Sequence, residues 1–244
     1  STTQIWGDGN PDNGVAPGYP DDIIPAGGQI IIDNTFDYNR SQMQLQYDGK
    51  DKIFSSADIA ISKVAGSNAD FNAQNIKTDV IDTKRFGKSF TIGFGEDLTE
   101  ISTVHNAFRY VGVFIRASED NTFVELDYNG DGIIDVSKTL NEGEVWLYDG
   151  TSSTPGSTSS DINKSNDIKA GAKIIADKPI GVDIVFGGID NYGTRNIYIL
   201  PSKFYSSKYI TPVHTTLSAA PVVAYFYNSS SNPIRLNWKA GTGI

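Results

Sequence analysis

The segment "DYNGDGIID" at residues 127–135 carries the sharpest chemical pattern in the chain. Asp127, Asn129 and Asp131 put oxygen-bearing side chains at alternate positions, Gly132 permits a tight turn, and Asp135 adds another carboxylate. A hard cation such as calcium takes roughly six to eight oxygen ligands, and alternate oxygens on a turn gather several of them at one point. The backbone carbonyl of Ile133 extends the set. The last position of the calcium-loop pattern is occupied by Lys138, so no glutamate closes the site from within the loop. A carboxylate from elsewhere must do so, and Glu119, Asp120, Glu142 and Glu144 are near in sequence. The flanking segments read as strands, which sets this loop apart from a helix-flanked EF-hand. The same residue types also build a metal-free hairpin turn, and the sequence alone leaves both open. The expectation taken forward is calcium at Asp127, Asn129, Asp131, Ile133 and Asp135.

Other chemistry is sparsely supported. "GDGNPDNG" at 7–14 alternates Asp8, Asn10 and Asp12, but Pro11 and Asn13 break the pattern and favour a solvated loop. The two histidines, His105 and His214, are far apart and lie in no nucleophile or zinc-protease context. A carboxylate pair such as Glu96 with Glu125 suits glycoside hydrolysis by type, yet nothing in spacing singles it out. Trp6, Trp146 and Trp238 are aromatic surfaces for a sugar, although tryptophan in strands more often fills a core. The expectation is a non-enzyme.

Short runs rich in β-branched and aromatic residues recur along the chain, separated by Gly, Pro, Asn, Asp and Ser. They predict strands over 29–33, 42–47, 57–64, 77–82, 89–94, 108–117, 122–128, 143–149, 172–177, 180–187, 196–201, 208–213, 221–228 and 234–238. In 122–128, Thr122, Val124 and Leu126 fall on one face, and Phe123, Glu125 and Asp127 on the other. No window holds a helical apolar stripe. The predicted fold is all-β, an antiparallel β-sandwich or two packed sandwich units with long loops. The predicted divisions are 1–85, an N-terminal β unit with a leading loop, 86–219, a sandwich, and 220–244, the start of a further repeat or a terminal hairpin. The last division rests on an echo between 111–132 and 221–243, each a strand, a polar turn and a second strand ending in Gly.

Among 244 residues, charged side chains make up 20% and the net charge is −9, which disfavours a nucleic-acid partner. No run approaches the roughly 20 apolar residues of a membrane helix. The sequence contains no cysteine, so disulfides and thiolate sites are excluded, and calcium is the natural substitute for stiffening loops outside a cell. A first residue Ser1 with no leader before it reads as a mature chain after signal removal, or as an excised piece. The expected location is secreted or cell surface. The Ser/Thr-rich stretch 149–167 has the composition of a surface loop, and Asn39, Asn163 and Asn228 each head an acceptor sequence for N-glycosylation.

The pieces "TDVIDTKRFGKSFTIGFGED" (78–97), "YVGVFIRASEDNTFVELDYNGDG" (110–132), "KTLNEGEVWLYDG" (138–150), "IKAGAKIIADKPIGVDIVFGG" (168–188) and "RNIYILPSKFYSSKYITPV" (195–213) share an order with a known family. Residues 78–213 resemble the microbial versions of the domain named for the N-terminal region of IgGFc-binding protein. The opening "IWGDGNPDNGVAPG" with "IIPAGGQIIIDN" is similar to the start of secreted repeat proteins that carry such domains. The resemblance implies β-sandwich modules on a cell surface, used in adhesion, matrix or envelope architecture, with no catalytic residues and no transferable IgG binding. The function expected is a non-catalytic extracellular structural protein, a calcium-stabilised subunit of a surface layer or filament whose partners are copies of itself. The alternative is a carbohydrate- or host-binding adhesin module within a longer surface protein.

Overall fold

A computed structural model describes residues 26–29, 57–61, 80–101, 108, 110–150, 166–187, 195–210 and 225–237. Their regular structure is strand, with a few short 3-10 turns and no α-helix among the described residues. Seven antiparallel strands are present: β1 Gly87–Thr91, β2 Tyr110–Ala117, β3 Thr122–Asp127, β4 Val136–Leu140, β5 Val145–Tyr148, β6 Lys173–Gly187 and β7 Arg195–Tyr198. They form one sheet in the order β4-β3-β6-β2-β5, with β1 and β7 also paired to β6, and the sheet curls toward a barrel. The all-β prediction holds.

The fifteen-residue β6 is the spine of the sheet. Its first half pairs with β3 and β1, and its second half with β2 and β7. The sequence predicts two strands here because Asp177, Lys178 and Pro179 interrupt the apolar run. Proline removes a ladder donor and favours a bend. Side chains replace the lost ladder bonds. Asp177 Oδ1 accepts the Phe123 N–H at 2.8 Å, Lys88 Nζ donates to the Asp177 carbonyl at 2.6 Å, and Ser118 Oγ donates to the Pro179 carbonyl at 2.7 Å. One chain thereby serves both halves of the sheet.

Alternation puts the core on the concave face. Val111, Val113 and Ile115 from β2, Thr122, Val124 and Leu126 from β3, and Ile174, Ile180, Val182 and Ile184 from β6 are all buried, with Phe90 and Ile92 closing one side. Each such side chain contributes about 1.5–3 kcal/mol when fully removed from water, so this layer is the main source of stability. The β2–β3 turn is set by Asn121, which adopts a positive φ of 53°. The edge of β1 is covered by Tyr205, whose hydroxyl accepts the Thr91 N–H and donates to the Thr91 carbonyl, each at 3.1 Å.

Several expected strands are corrected. Residues 57–61, 80–82, 208–210, 225–228 and 234–237 are described and lie outside any ladder. Their side chains have strand propensity, but among the described residues no neighbouring strand supplies the partners that would make one. The expected strand 42–47 lies outside the described residues, as do most of 29–33. Conversely, β4 was absent from the prediction: Ser137, Lys138 and Thr139 give it a polar centre, as an edge strand tolerates. No helix among the described residues is long and apolar enough to cross a membrane.

Candidate functional site

Loop 127–135 joins β3 to β4 and is held by its own side chains. Asp127 Oδ1 accepts the Gly130 N–H at 2.6 Å and Oδ2 accepts the Gly132 N–H at 2.8 Å. Asn129 Oδ1 accepts the Asp131 N–H at 2.9 Å, and Asp131 Oδ1 accepts the Ile133 N–H at 2.8 Å. Asp135 Oδ2 accepts the Tyr128 N–H at 2.9 Å, while the Asp135 N–H donates to the Leu126 carbonyl at 3.0 Å. The oxygens at alternate positions therefore each turn the backbone, which is why these residue types occur at this spacing. Gly130 sits at φ 75° with its Cα against the Gly171 backbone, so both conformation and space demand glycine.

The structure holds Asp127, Asn129, Asp131 and Asp135 on one turn, with only Asn129 and Asp131 in side-chain contact, and it does not add the carboxylates expected to complete a cation shell. Asp120 accepts the Glu142 N–H and Glu144 accepts the Asn141 N–H, in the turns at the far end of β3 and β4. β3 runs from Thr122 beside the Asp120 turn to Asp127 itself, which is about 17 Å of extended chain. Glu119, Asp120, Glu142 and Glu144 were near in sequence and are distant in space. Among the described residues no group of three or more His, Cys, Asp or Glu is placed to hold a metal ion. The loop is a self-satisfied turn whose carboxylate oxygens retain spare lone pairs. Ile133 is exposed and its backbone N–H is used by Asp131.

Aromatic rings flank the loop. Tyr128 stacks on Tyr148 of β5 with centroids 5.7 Å apart and planes 10° apart, and Trp146 meets Tyr148 edge-on at 6.1 Å. The Tyr148 hydroxyl donates to the Asn166 carbonyl at 2.8 Å. The pair ties the end of β3 to β5, strands that are not neighbours in the sheet. All three rings are half-buried. No local signal pointed to this pairing, since the two tyrosines lie on separate strands twenty positions apart in sequence.

Buried carboxylates elsewhere are engaged in structure. Glu96 accepts the Val111 N–H at 2.9 Å, and Asp149 accepts the Tyr110 hydroxyl at 3.3 Å. Asp183 pairs with Arg116 at 2.5 Å on the convex side of β2 and β6, where the Phe86 ring lies 5.8 Å from the guanidinium and against Gly181. Glu96 is buried whereas Glu125 lies half-buried on the convex side of β3, so the two occupy different settings. His105, His214, Trp6, Trp238 and the 7–14 loop lie outside the described residues.

Three tyrosines here resist ionisation. Burial, then the Asp149 carboxylate and its hydrogen bond, then Glu96, push Tyr110 up. Burial first, then Tyr128 and the carboxylates of Asp135, Asp167 and Asp149, push Tyr148 up. Burial pushes Tyr198 up to about 12, with Arg116 and Arg85 opposing and Asp183 reinforcing the shift. A phenol whose pKa is raised in the folded state holds its proton longer folded than unfolded. Its stabilisation is complete below pH 10, the unfolded value, and is lost as pH rises through the folded value. Stability should fall between about pH 10 and pH 12, and tyrosinate absorbance should appear in two steps, exposed phenols first and these with unfolding. One titration near pH 10 for every tyrosine would contradict the burial.

No family model, curated protein or solved structure matches this chain.

Proposed function

We propose that this chain is a non-catalytic extracellular structural module that associates with copies of itself and is stiffened by calcium at loop 127–135. The observation that carries the reading is the loop itself. Alternate oxygens at Asp127, Asn129 and Asp131 are pinned in the spacing of a calcium loop, on a turn that is already formed. Preorganisation lowers the cost of adding a cation through the remaining lone pairs and through Asp135. Further support comes from Glu96, Asp149 and Asp183, each of which is spent on holding a strand or a partner side chain. The absence of cysteine and the resemblance of residues 78–213 to surface-protein modules agree with it. Sedimentation with calcium and with EGTA tests the reading: calcium should give large ordered species, and a monomer in both conditions would overturn it.

The stacked Tyr128 and Tyr148 favour a second reading, a carbohydrate-binding adhesin module. Half-exposed aromatic faces pack on the C–H face of a pyranose, and Asn129 and Asp131 beside them offer groups for sugar hydroxyls. Tyr128→Ala should then abolish binding on a glycan array and also lower stability, since it removes the stack on Tyr148, whereas Tyr128→Phe, which keeps the ring, should retain both. An array with no hits for the wild-type chain would exclude this reading.

A further inference from the structure

We propose that Asn228 is a glycan acceptor, a modification that rests on the extracellular reading above. Asn228, Ser229 and Ser230 form an acceptor sequence, and every described residue from 225 to 237 is exposed. The turn brings the two side chains that define the acceptor together. Asn228 Oδ1 accepts the Ser230 N–H at 3.0 Å and lies 2.7 Å from Ser230 Oγ, which also lies 2.7 Å from the Asn232 carbonyl. Asn228 Nδ2 donates one hydrogen to the Asn232 carbonyl at 2.8 Å. A carboxamide nitrogen carries two hydrogens, so one remains for substitution while the other keeps the turn closed.

The segment is also attached in a way that leaves this turn presentable. Tyr225 packs edge-on against Phe108 with centroids 5.1 Å apart, and Tyr227 rests against Gly171. Among the described residues no backbone hydrogen bond joins 225–237 to the sheet. The turn can be drawn into a transferase without breaking a ladder. There the bond formed is from Asn228 Nδ2 to the anomeric carbon of a lipid-phosphate-linked oligosaccharide. The bond broken is from that carbon to the carrier's phosphate oxygen, which leaves with the electron pair, and Nδ2 releases one proton to the departing phosphate. A sugar at this point would also shield Phe226, Ile234 and Leu236, each more than half exposed along the same segment.

The test is mass mapping of the chain isolated from its native host. Trypsin releases residues 209–235 as one peptide, because Lys208 and Arg235 are consecutive basic residues. The expected result is added hexose-type mass on this peptide, removed by an amide-cleaving glycosidase that leaves aspartate at 228, and absent from Asn228→Gln. An unmodified peptide from chain recovered at the cell surface or in the medium overturns the proposal and leaves the extracellular reading intact. Sugar confined to Asn39 or Asn163, or mass that persists in Asn228→Gln, overturns it as well. Chain found only in the cytosol overturns both.

Discussion

Asp183→Ala should destabilise the sheet by about 3–5 kcal/mol, the usual cost of removing one partner from a buried ion pair. Asp183 is 2% exposed and lies on the strand that both halves of the sheet use, paired with Arg116, which stands on β2 two residues beyond its direct partner Phe114. Removing the carboxylate takes its ion-pair partner from a largely buried guanidinium, and the Phe86 ring beside it offsets only about 0.5–2 kcal/mol of that charge. Against a total stability of about 5–15 kcal/mol this is a large fraction. A second substitution, Arg116→Met, should recover much of the loss, because removing both charges also removes the desolvation cost. Urea midpoints of the two variants check this. A loss under about 1 kcal/mol in Asp183→Ala would show that this face is wet and the pair solvated.

The second large effect concerns the loop. Asp127 serves two backbone donors with two oxygens while almost fully buried. Asp127→Asn offers one oxygen to those two donors and should cost about 1–3 kcal/mol without calcium, within the range for one charged hydrogen bond. With calcium the difference widens. Calcium sites of extracellular modules bind at about 0.1–1 mM, so about 10 mM calcium should stabilise the wild-type chain by about 1.4–2.7 kcal/mol. For a chain of this size that is about 3–10 °C in melting temperature. The variant should show no such rise. Equal calcium responses in both proteins would move the cation away from this loop.

The sequence made some of this legible and hid the rest for identifiable reasons. In β3 the alternation of Thr122, Val124 and Leu126 against Phe123 and Glu125 is the core pattern itself, and the structure follows it residue for residue. Asp127 shares the outward parity yet is buried, because its own loop folds over it, which periodicity does not encode. The break in β6 was visible as Asp177-Lys178-Pro179, but its meaning was not: the side chain of Asp177 carries the ladder across, so one strand continues where two were expected. Lone opposite charges inside the apolar runs "YVGVFIRA" and "IGVDIVFG" were a usable signal for Arg116 with Asp183, since an unpaired charge in a strand core is costly. The remote carboxylates failed because nearness in sequence ignores the length of a strand: Glu119 and Asp120 lie at the opposite end of β3 from Asp127. The exposed residues of 57–61 and 225–237 have strand-forming side chains, and propensity says nothing about whether a neighbour exists to pair with them.

Calcium-dependent self-association is the centre of this account, and sedimentation velocity with parallel negative-stain imaging tests it most directly. The wild-type chain should sediment as large ordered species in calcium and return to about its 26.4 kDa monomer in EGTA, while Asp127→Asn stays monomeric in both. A wild-type chain that is monomeric with and without calcium, at concentrations where its fold is intact, would contradict it.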